Sequence, residues 1–391
     1  MSKVLLVGSS YSSAPIFNVL RKRGFHVSVC GAHPSDPCHE YADCSHFIDY
    51  SDSLALQGLI ETEQYEFIVP SCNDTAYMSV VAATQSKPYP GFDTFKTANV
   101  LHAKHEFRGF TRQYEVPAPR WVDAGDAVGA SSLRSPLLVK PVDAFSGRGV
   151  SKVEERSALS RAIDKAKASS QNGGVIVEEF VEGSLHSHSA FVVDGEIKQD
   201  FFVDEYCSVY PYQVDCSNHP SFLPSNIRNS VREAVDIIIS KLGLCNGLLH
   251  TQFIRDDHQI WIIECMRRAP GDLFANLVMY STGVNYTEMY TLPFIGENIV
   301  AKNSVEVVKN MARHTISVDK KKSLFSFSQS LPSSNVTVVP LKCSGHVISE
   351  APYDKVAILF AEFEASDTLR QVTPSMAGYI NIKTVEDSDA F

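Results

Sequence analysis

The chain has 391 residues, of which 44% are hydrophobic and 20% charged, so it can bury a full core and is not a disordered polymer. Its formal net charge of -10 argues against non-specific nucleic-acid binding, which needs a basic surface to displace phosphate counterions. At roughly 100–200 residues per domain, the length suggests two or three domains.

The opening MSKVLLVGSS has too short an apolar run for a signal peptide, and no segment approaches the ~20 apolar residues of a membrane span. VLLVGSS (4–10) reads as a buried strand entering a glycine turn. APIFNVLRKRG (14–24) has helical spacing with Gly24 as its stop, and FHVSVC alternates as a second strand. FIVPS (67–71) is another buried strand. This order over roughly the first hundred residues implies an open parallel sheet, which binds ligands at the carboxyl ends of its strands. HAKHEFRGFTRQY is helical, and VPAPRW is an extended connector. LLVKPVDAFSGRGVSKV then reads as strand, glycine loop, strand, followed by an amphipathic helix and the strand VIVEEFVEG. Hairpins are expected around Asp194-Gly195 and at Asp256-Asp257-His258, with a long helix (SNIRNSVREAVDIIISKLGL) between them. Beyond residue ~300 the chain is a mixed tail containing VTVVPLKC, VAILFAEF and GYINIK. The 9 cysteines are scattered without a CxxC pair, which fits buried thiols in a reduced, cytoplasmic protein.

Three stretches carry chemistry. In LVKPVDAFSGRGV, Lys140 leaves a buried strand before a loop closed by Ser146, Gly147 and Gly149. Such a loop can bring backbone N–H groups to a phosphate beside a compact positive charge, or it is simply a hairpin tip with a surface lysine. It is not a P-loop, because GxxxxGK[ST] is absent. In VIVEEFVEG, Glu178 and Glu179 follow a buried strand and can meet an adenine edge, or form a solvated acidic strand end. Gln252 and Glu264 lie on neighbouring strands, where convergent oxygens can hold Mg²⁺ against phosphates. Arg267 and Arg268 come next, suited either to clamping a carboxylate or phosphoryl group or to pairing with a buried Glu.

In their order, these pieces resemble the ATP-grasp superfamily, closest to its biotin carboxylase-like and amino-acid ligase branches. The resemblance covers roughly residues 1–300 and runs through VLHAKHEF, LVKP with SGRG, VEEFVEG, HTQF and IIECMRR. It implies an α/β fold: a pre-ATP-grasp parallel-sheet domain (1–100), an ATP-grasp domain (101–300) with a small lid at about 120–190, and a mixed α+β C-terminal subdomain (301–391). It implies that Lys104 and Lys140 contact ATP phosphates under the loop of Ser146, Gly147 and Gly149. Glu178, Glu179 and Val181 match the adenine hinge, and His186 falls where carboxylase-type members place a nucleotide-contacting histidine. Gln252 and Glu264 match the Mg²⁺ ligands, and Arg268 the arginine near the transferred phosphoryl, with Arg267 a candidate for a substrate carboxylate. Two departures stand out: Gln252 replaces an acid, and Met266 stands where a hard oxygen ligand is usual, with Asp272 a nearby substitute.

The implied activity is an ATP-dependent carboxylate–amine ligase acting through an acyl phosphate on small, amino-acid-like molecules, with ATP and Mg²⁺ as cofactors and a possible homodimer. Two alternatives are a carboxylase-type enzyme using bicarbonate, for which His186 speaks, and a nucleotide-binding protein with attenuated catalysis, for which Gln252 and Met266 speak. The cluster of His33, Cys38, His39, Cys44 and His46 matches no zinc spacing and reads as structural. Gly8 is not followed by GxGxxG, which argues against a dinucleotide dehydrogenase.

Overall fold

The computed structural model describes residues 2–144, 147–170, 172–302 and 305–385. Strands β1 (Lys3–Val7), β2 (His26–Cys30), β3 (Cys44–His46) and β4 (Phe67–Pro70) form a parallel sheet in the order β3-β2-β1-β4. Val4 to Val7 of β1 are wholly buried, as a central parallel strand covered by helices on both faces requires. The expected parallel-sheet domain is present.

Strands β5 (Trp121–Asp123), β6 (Leu137–Pro141), β7 (Ser151–Val153) and β8 (Val175–Glu179) make a separate antiparallel sheet, order β5-β8-β6-β7. This lid ends at Glu179, short of the expected 190. The reason is the next strand, β9 (Ser184–Val193), whose residues from His186 to Val192 are all buried. A strand hidden on both faces belongs inside a large sheet.

That sheet is the body of the molecule. It contains β9, β10 (Glu196–Tyr206), β11 (Cys216–His219), β12 (Gly247–Arg255) and β13 (Ile260–Met266). The β9–β10 turn has positive φ at Asp194 (52°) and Gly195 (78°), the conformation of a two-residue hairpin turn. The tail supplies β14 (Asn310–Ile316), β15 (Lys322–Gln329), β16 (Asn335–Pro340), β17 (Val347–Ile348), β18 (Ala357–Phe363) and β19 (Ile380–Thr384). Three of these continue the body sheet, giving eight strands in the order β13-β12-β9-β10-β11-β14-β18-β16, while β15, β17 and β19 form a small sheet of their own. The boundary expected near residue 300 therefore does not coincide with a sheet boundary: β14 and β18 are buried along almost their whole length, as interior strands are.

The two faces of the body sheet are covered differently. Phe191, Phe201, Val203 and Leu248 pack with Phe274 and Tyr286 and with the parallel-sheet domain, through Leu6, Phe17 and Val69. The opposite face, with Ala190, Val192, Phe202, Leu249 and Phe253, packs on the helices Lys104–Gln113 and Ser225–Leu242. The longer helix offers Val231, Val235, Ile238 and Ile239, the i, i+4, i+7, i+8 stripe of an amphipathic helix. Among the described residues no helix is long and apolar enough to cross a membrane.

One buried cluster joins lid to body. Arg108 donates from Nε to Glu178 Oε1 at 2.8 Å and from a terminal nitrogen to the Ile263 carbonyl at 2.7 Å. Lys140 Nζ donates to the other Glu178 oxygen at 2.7 Å. Ile262 N–H donates to the Pro117 carbonyl at 2.7 Å, so the outer edge of β13 is tied to the Pro-rich connector. Burial opposes ionisation of Glu178, yet Arg108 and Lys140 hold its carboxyl at about 2, below its ordinary 4.5. A carboxyl with a lower pKa in the fold than in the unfolded chain stabilises the fold while ionised. This contribution is complete above pH 4.5 and drains away as pH falls toward 2. Glu178→Gln should cost roughly 3–5 kcal/mol at neutral pH by stranding two buried cations. Its urea midpoint should also fall less steeply than that of the unsubstituted chain over the acid range.

Candidate active site

Strand register builds the site. Glu264 on β13 lies opposite Gln252 on β12, and Gln252 lies opposite Ser187 on β9. Ser187 lies opposite Val203 on β10, and Glu205, two residues on, shares the face of Val203. Glu205 lies opposite Ser217 on β11, and Ser217 opposite Arg313 on β14. Six strands thus set Glu264, Gln252, Ser187, Glu205, Ser217 and Arg313 in a polar row on the face that the parallel-sheet domain covers further along.

Within the row, Gln252 Nε2 donates to Glu205 Oε2 at 2.6 Å. Burial raises the Glu205 carboxyl above its ordinary range, opposed by the Ser187 hydroxyl, Arg313 and Gln252. Arg313 donates to Ser217 Oγ at 2.8 Å and to the Asp272 carbonyl at 3.1 Å, and its buried Nε meets no acceptor among the described residues. Glu264 is half-buried, and among the described residues nothing hydrogen-bonds its carboxylate. Two oxygens are therefore unclaimed on directly paired residues, the carboxylate of Glu264 and the amide carbonyl of Gln252. Two hard oxygens fit one Mg²⁺ whose remaining positions are filled by phosphate and water.

The other expected metal positions fall away. Met266 is 5% exposed and opposite His250, packed in the interior. Asp272 is committed elsewhere: Tyr11 donates to it at 2.8 Å, Thr315 at 2.9 Å, and Lys355 pairs with it closely. Cys265 points to the opposite face, where its sulfur meets Thr251 Oγ1 at 3.4 Å.

The two arginines part company. Arg268 grips Asp74 through Nη2 at 2.9 Å and Nε at 3.3 Å, and His102 Nδ1 meets the same carboxylate at 2.9 Å. Asp74 is the first residue of the helix Asp74–Ala83, so the parallel-sheet domain positions Arg268. Burial lowers the Arg268 pKa, but Asp74 first, and Glu264 further off, raise it above the ordinary value. Arg267 is a correction: its guanidinium is wholly buried, donating to Asp93 at 2.6 Å and to the carbonyls of Leu248 (2.6 Å) and Cys245 (2.7 Å). Both arginines lie just past the end of β13, and their partners, Asp93 and Asp74, draw them into different surroundings.

On the nucleotide side, Lys104 Nζ donates to the Ala144 carbonyl at 2.8 Å, at the root of the glycine loop. Burial first, then the neighbouring charges of Arg108 and Lys104, depress the Lys140 amine, against the pull of Glu178. Gly147 and Gly149 have φ of 70° and 72°, and a Cβ would lie 2.5 Å from Tyr212 and Ser169 respectively. Both positions therefore demand glycine. Ser146 lies outside the described residues. Glu178 cannot offer its carboxylate to adenine, since Arg108 and Lys140 occupy both oxygens. Glu179 pairs with Arg120 (3.1 Å) and Arg134 (3.4 Å) on the lid. The N–H groups of Glu179 and Phe180 already donate to the carbonyls of Arg120 and Pro136 at 2.9 Å, so what stays available to a base is the backbone beyond them, at the Phe180 carbonyl and Val181, where the chain passes from lid to body. His186 is a second correction. It lies opposite Phe253, on the face away from Glu264, and bonds Asp204 at 2.8 Å and Ser184 at 2.7 Å.

The N-terminal His/Cys loop does not converge on a metal. His46 meets Tyr65 Oη at 2.9 Å and Cys44 at 3.4 Å, while His39 packs against Phe47 with the rings tilted by 49°. Sequence reasoning passed over Asp74, Arg108, Glu205 and Arg313. The available signal was a charge inside an apolar strand, as in FFVDEYC and NMARHTI.

Residues 105–290 match the family model described as D-ala D-ala ligase C-terminus. The formate-dependent phosphoribosylglycinamide formyltransferase of Burkholderia vietnamiensis is 27% identical over 188 residues, 46% of each chain. That of Janthinobacterium sp. (strain Marseille) is 28% identical over 283 residues, 68% of each chain. The match thus spans about half the length of the first of these relatives. The crystal structure of L-amino acid ligase from Bacillus licheniformis superposes with a TM-score of 0.80 at 16% identity, covering 98% of this chain and 99% of that one. The lid, the glycine loop and the paired strands carrying Gln252 and Glu264 thus belong to a fold that this chain shares with that ligase structure, and residues 105–290 carry the match to the family model.

Proposed function

We propose that the protein is an ATP-dependent carboxylate–amine ligase. The observation that carries this reading is the paired, unclaimed oxygens of Gln252 and Glu264, with Arg268 two residues past the end of the same strand pair. The lysines and glycine loop of the lid complete the nucleotide side. Lys104 and Lys140 would hold the phosphates, and the backbone at Phe180–Val181 the adenine. Gln252 and Glu264 would hold Mg²⁺, which supplies charge neutralisation at the phosphoryl group. Arg268, fixed by Asp74, would stabilise the charge that develops as a carboxylate oxygen attacks the γ-phosphorus and ADP departs. The resulting acyl phosphate is attacked at its carbonyl by an amine. Phosphate leaves, the nitrogen loses a proton, and an amide forms. Arg313 and the tail residue Lys355 border the same face and are placed to recognise the small-molecule acid.

The bicarbonate alternative rested on His186, whose ring is taken by Asp204 and Ser184, and no other observation carries it.

ADP release measured over a panel of amino acids and small acid–amine pairs should show stimulation by at least one pair. ATP binding with no stimulation by any pair would sink the ligase reading. Glu264→Gln should lower kcat about 10²–10³-fold while leaving nucleotide affinity within a few-fold, since it removes a charge needed most in the transition state. An equal loss in nucleotide affinity would mean that Glu264 serves binding alone.

A further inference from the structure

We propose that Glu205 is the positioning residue of the cation site, supplying from β10 the negative charge that Gln252 lacks and fixing which end of the Gln252 amide faces the cation. This deepens the ligase reading and rests on it.

Glutamine has a donor end and an acceptor end, and only the acceptor can bind a metal. Left alone, the side chain can turn either end toward a cation. Glu205 Oε2 accepts from Nε2 at 2.6 Å, which takes up the donor end and leaves Oε1 free.

The contact crosses a strand. β9 lies between β12 and β10, and its residue opposite Gln252 is Ser187, small enough for the two long side chains to meet over it. Glu205 is 4% exposed and Ser187 wholly buried, so the pair meets away from solvent, where a charge acts at its strongest. With Glu205 and Glu264 both on this face, two carboxylates remain near the cation, as in a site with an acid on each of β12 and β13. One of them has moved back behind an amide. On this account Gln252 and Glu205 are a matched pair. A glutamate at 252 would bring a second carboxylate against Glu205 at hydrogen-bond distance, and two such groups cannot both ionise cheaply.

The test uses the full chain with Mn²⁺ as probe. Bound Mn²⁺ is measured by electron paramagnetic resonance in the presence of ADP, and ADP binding without metal is measured separately. Glu205→Gln and Gln252→Glu should each weaken Mn²⁺ affinity about 10–100-fold, the usual cost of losing an outer partner of a metal ligand. ADP binding without metal should be unchanged. The double variant, with the carboxylate moved to 252 and the amide to 205, should recover affinity to within a few-fold, which a merely structural Glu205 would not allow. Unchanged Mn²⁺ affinity in Glu205→Gln, or a double variant as weak as either single one, overturns the proposal. Should a single variant fail to fold by circular dichroism, the double variant decides by the same criterion. A starting protein that binds ADP but retains no Mn²⁺ overturns it outright. One that binds neither removes the nucleotide reading as well.

Discussion

Everything at this site depends on the two-residue period of the body sheet. Register sets Glu264, Gln252, Ser187, Glu205, Ser217 and Arg313 on one face, while their neighbours Cys265, Thr251, Asp204 and Asn218 look the other way. A slip of one residue in any of these strands would send its polar group to the helix-packed face and bring a different side chain into the row. The register is held by apolar burial on both faces at the far end of the same strands. Just past the Gln252–Glu264 pair the register shifts, so that Phe253 faces Ile262. Beside this irregularity, Arg108 takes the carbonyls of Ile262 and Ile263 on the edge strand. Bulges commonly sit beside active sites because they re-aim the neighbouring side chains.

A second layer of specification comes from buried charge. Arg267 pairs with Asp93, Arg268 with Asp74, Arg108 with Glu178 and Lys355 with Asp272, and each pair spans elements at least 70 residues apart. Such pairs gain little net stability, because desolvation offsets most of the attraction, but a wrong partner would strand a charge in the interior. They therefore select one arrangement of lid, body, parallel-sheet domain and tail among those the apolar clusters would tolerate. The candidate site forms where these elements meet, so the pairs that fix the fold also fix its geometry.

The sequence was legible wherever the signal is local. Strand–helix alternation gave the parallel sheet, both hairpins stand where their turn residues lie, and Gln252 and Glu264 sit on adjacent paired strands as their order and spacing suggested. What stayed hidden is decided by partners distant in the chain. Nothing near Arg267 distinguishes it from Arg268; Asp93 and Asp74, about 170 to 190 residues earlier, separate them. Glu178 reads as an exposed acid until Arg108 and Lys140 are seen to enclose it. His186 resembled a nucleotide contact in a linear comparison, and only the pairing with Phe253 shows which face it takes. The tail read as a separate piece because sheet membership is a matter of pairing.

The distribution of charge has its origin in the same geometry. The chain is acidic overall, with a formal net charge of -10, and would repel a polyphosphate at long range. At the lid, however, Arg108 and Lys140 enclose the carboxylate of Glu178, and Arg108 and Lys104 add to burial in depressing the Lys140 amine. This excess of positive charge is held in place before any ligand arrives, so attraction of phosphate needs no rearrangement of the cluster. At the body sheet the sign reverses: Glu264 and Glu205 favour a cation. Arg268 stands beyond them with its charge already balanced by Asp74. A ligand that is anionic along its length but carries a divalent cation at one point satisfies both zones at once, whereas a bare anion or a bare cation satisfies only one. The alternation of sign, more than any single residue, is what a metal–nucleotide complex would find complementary here.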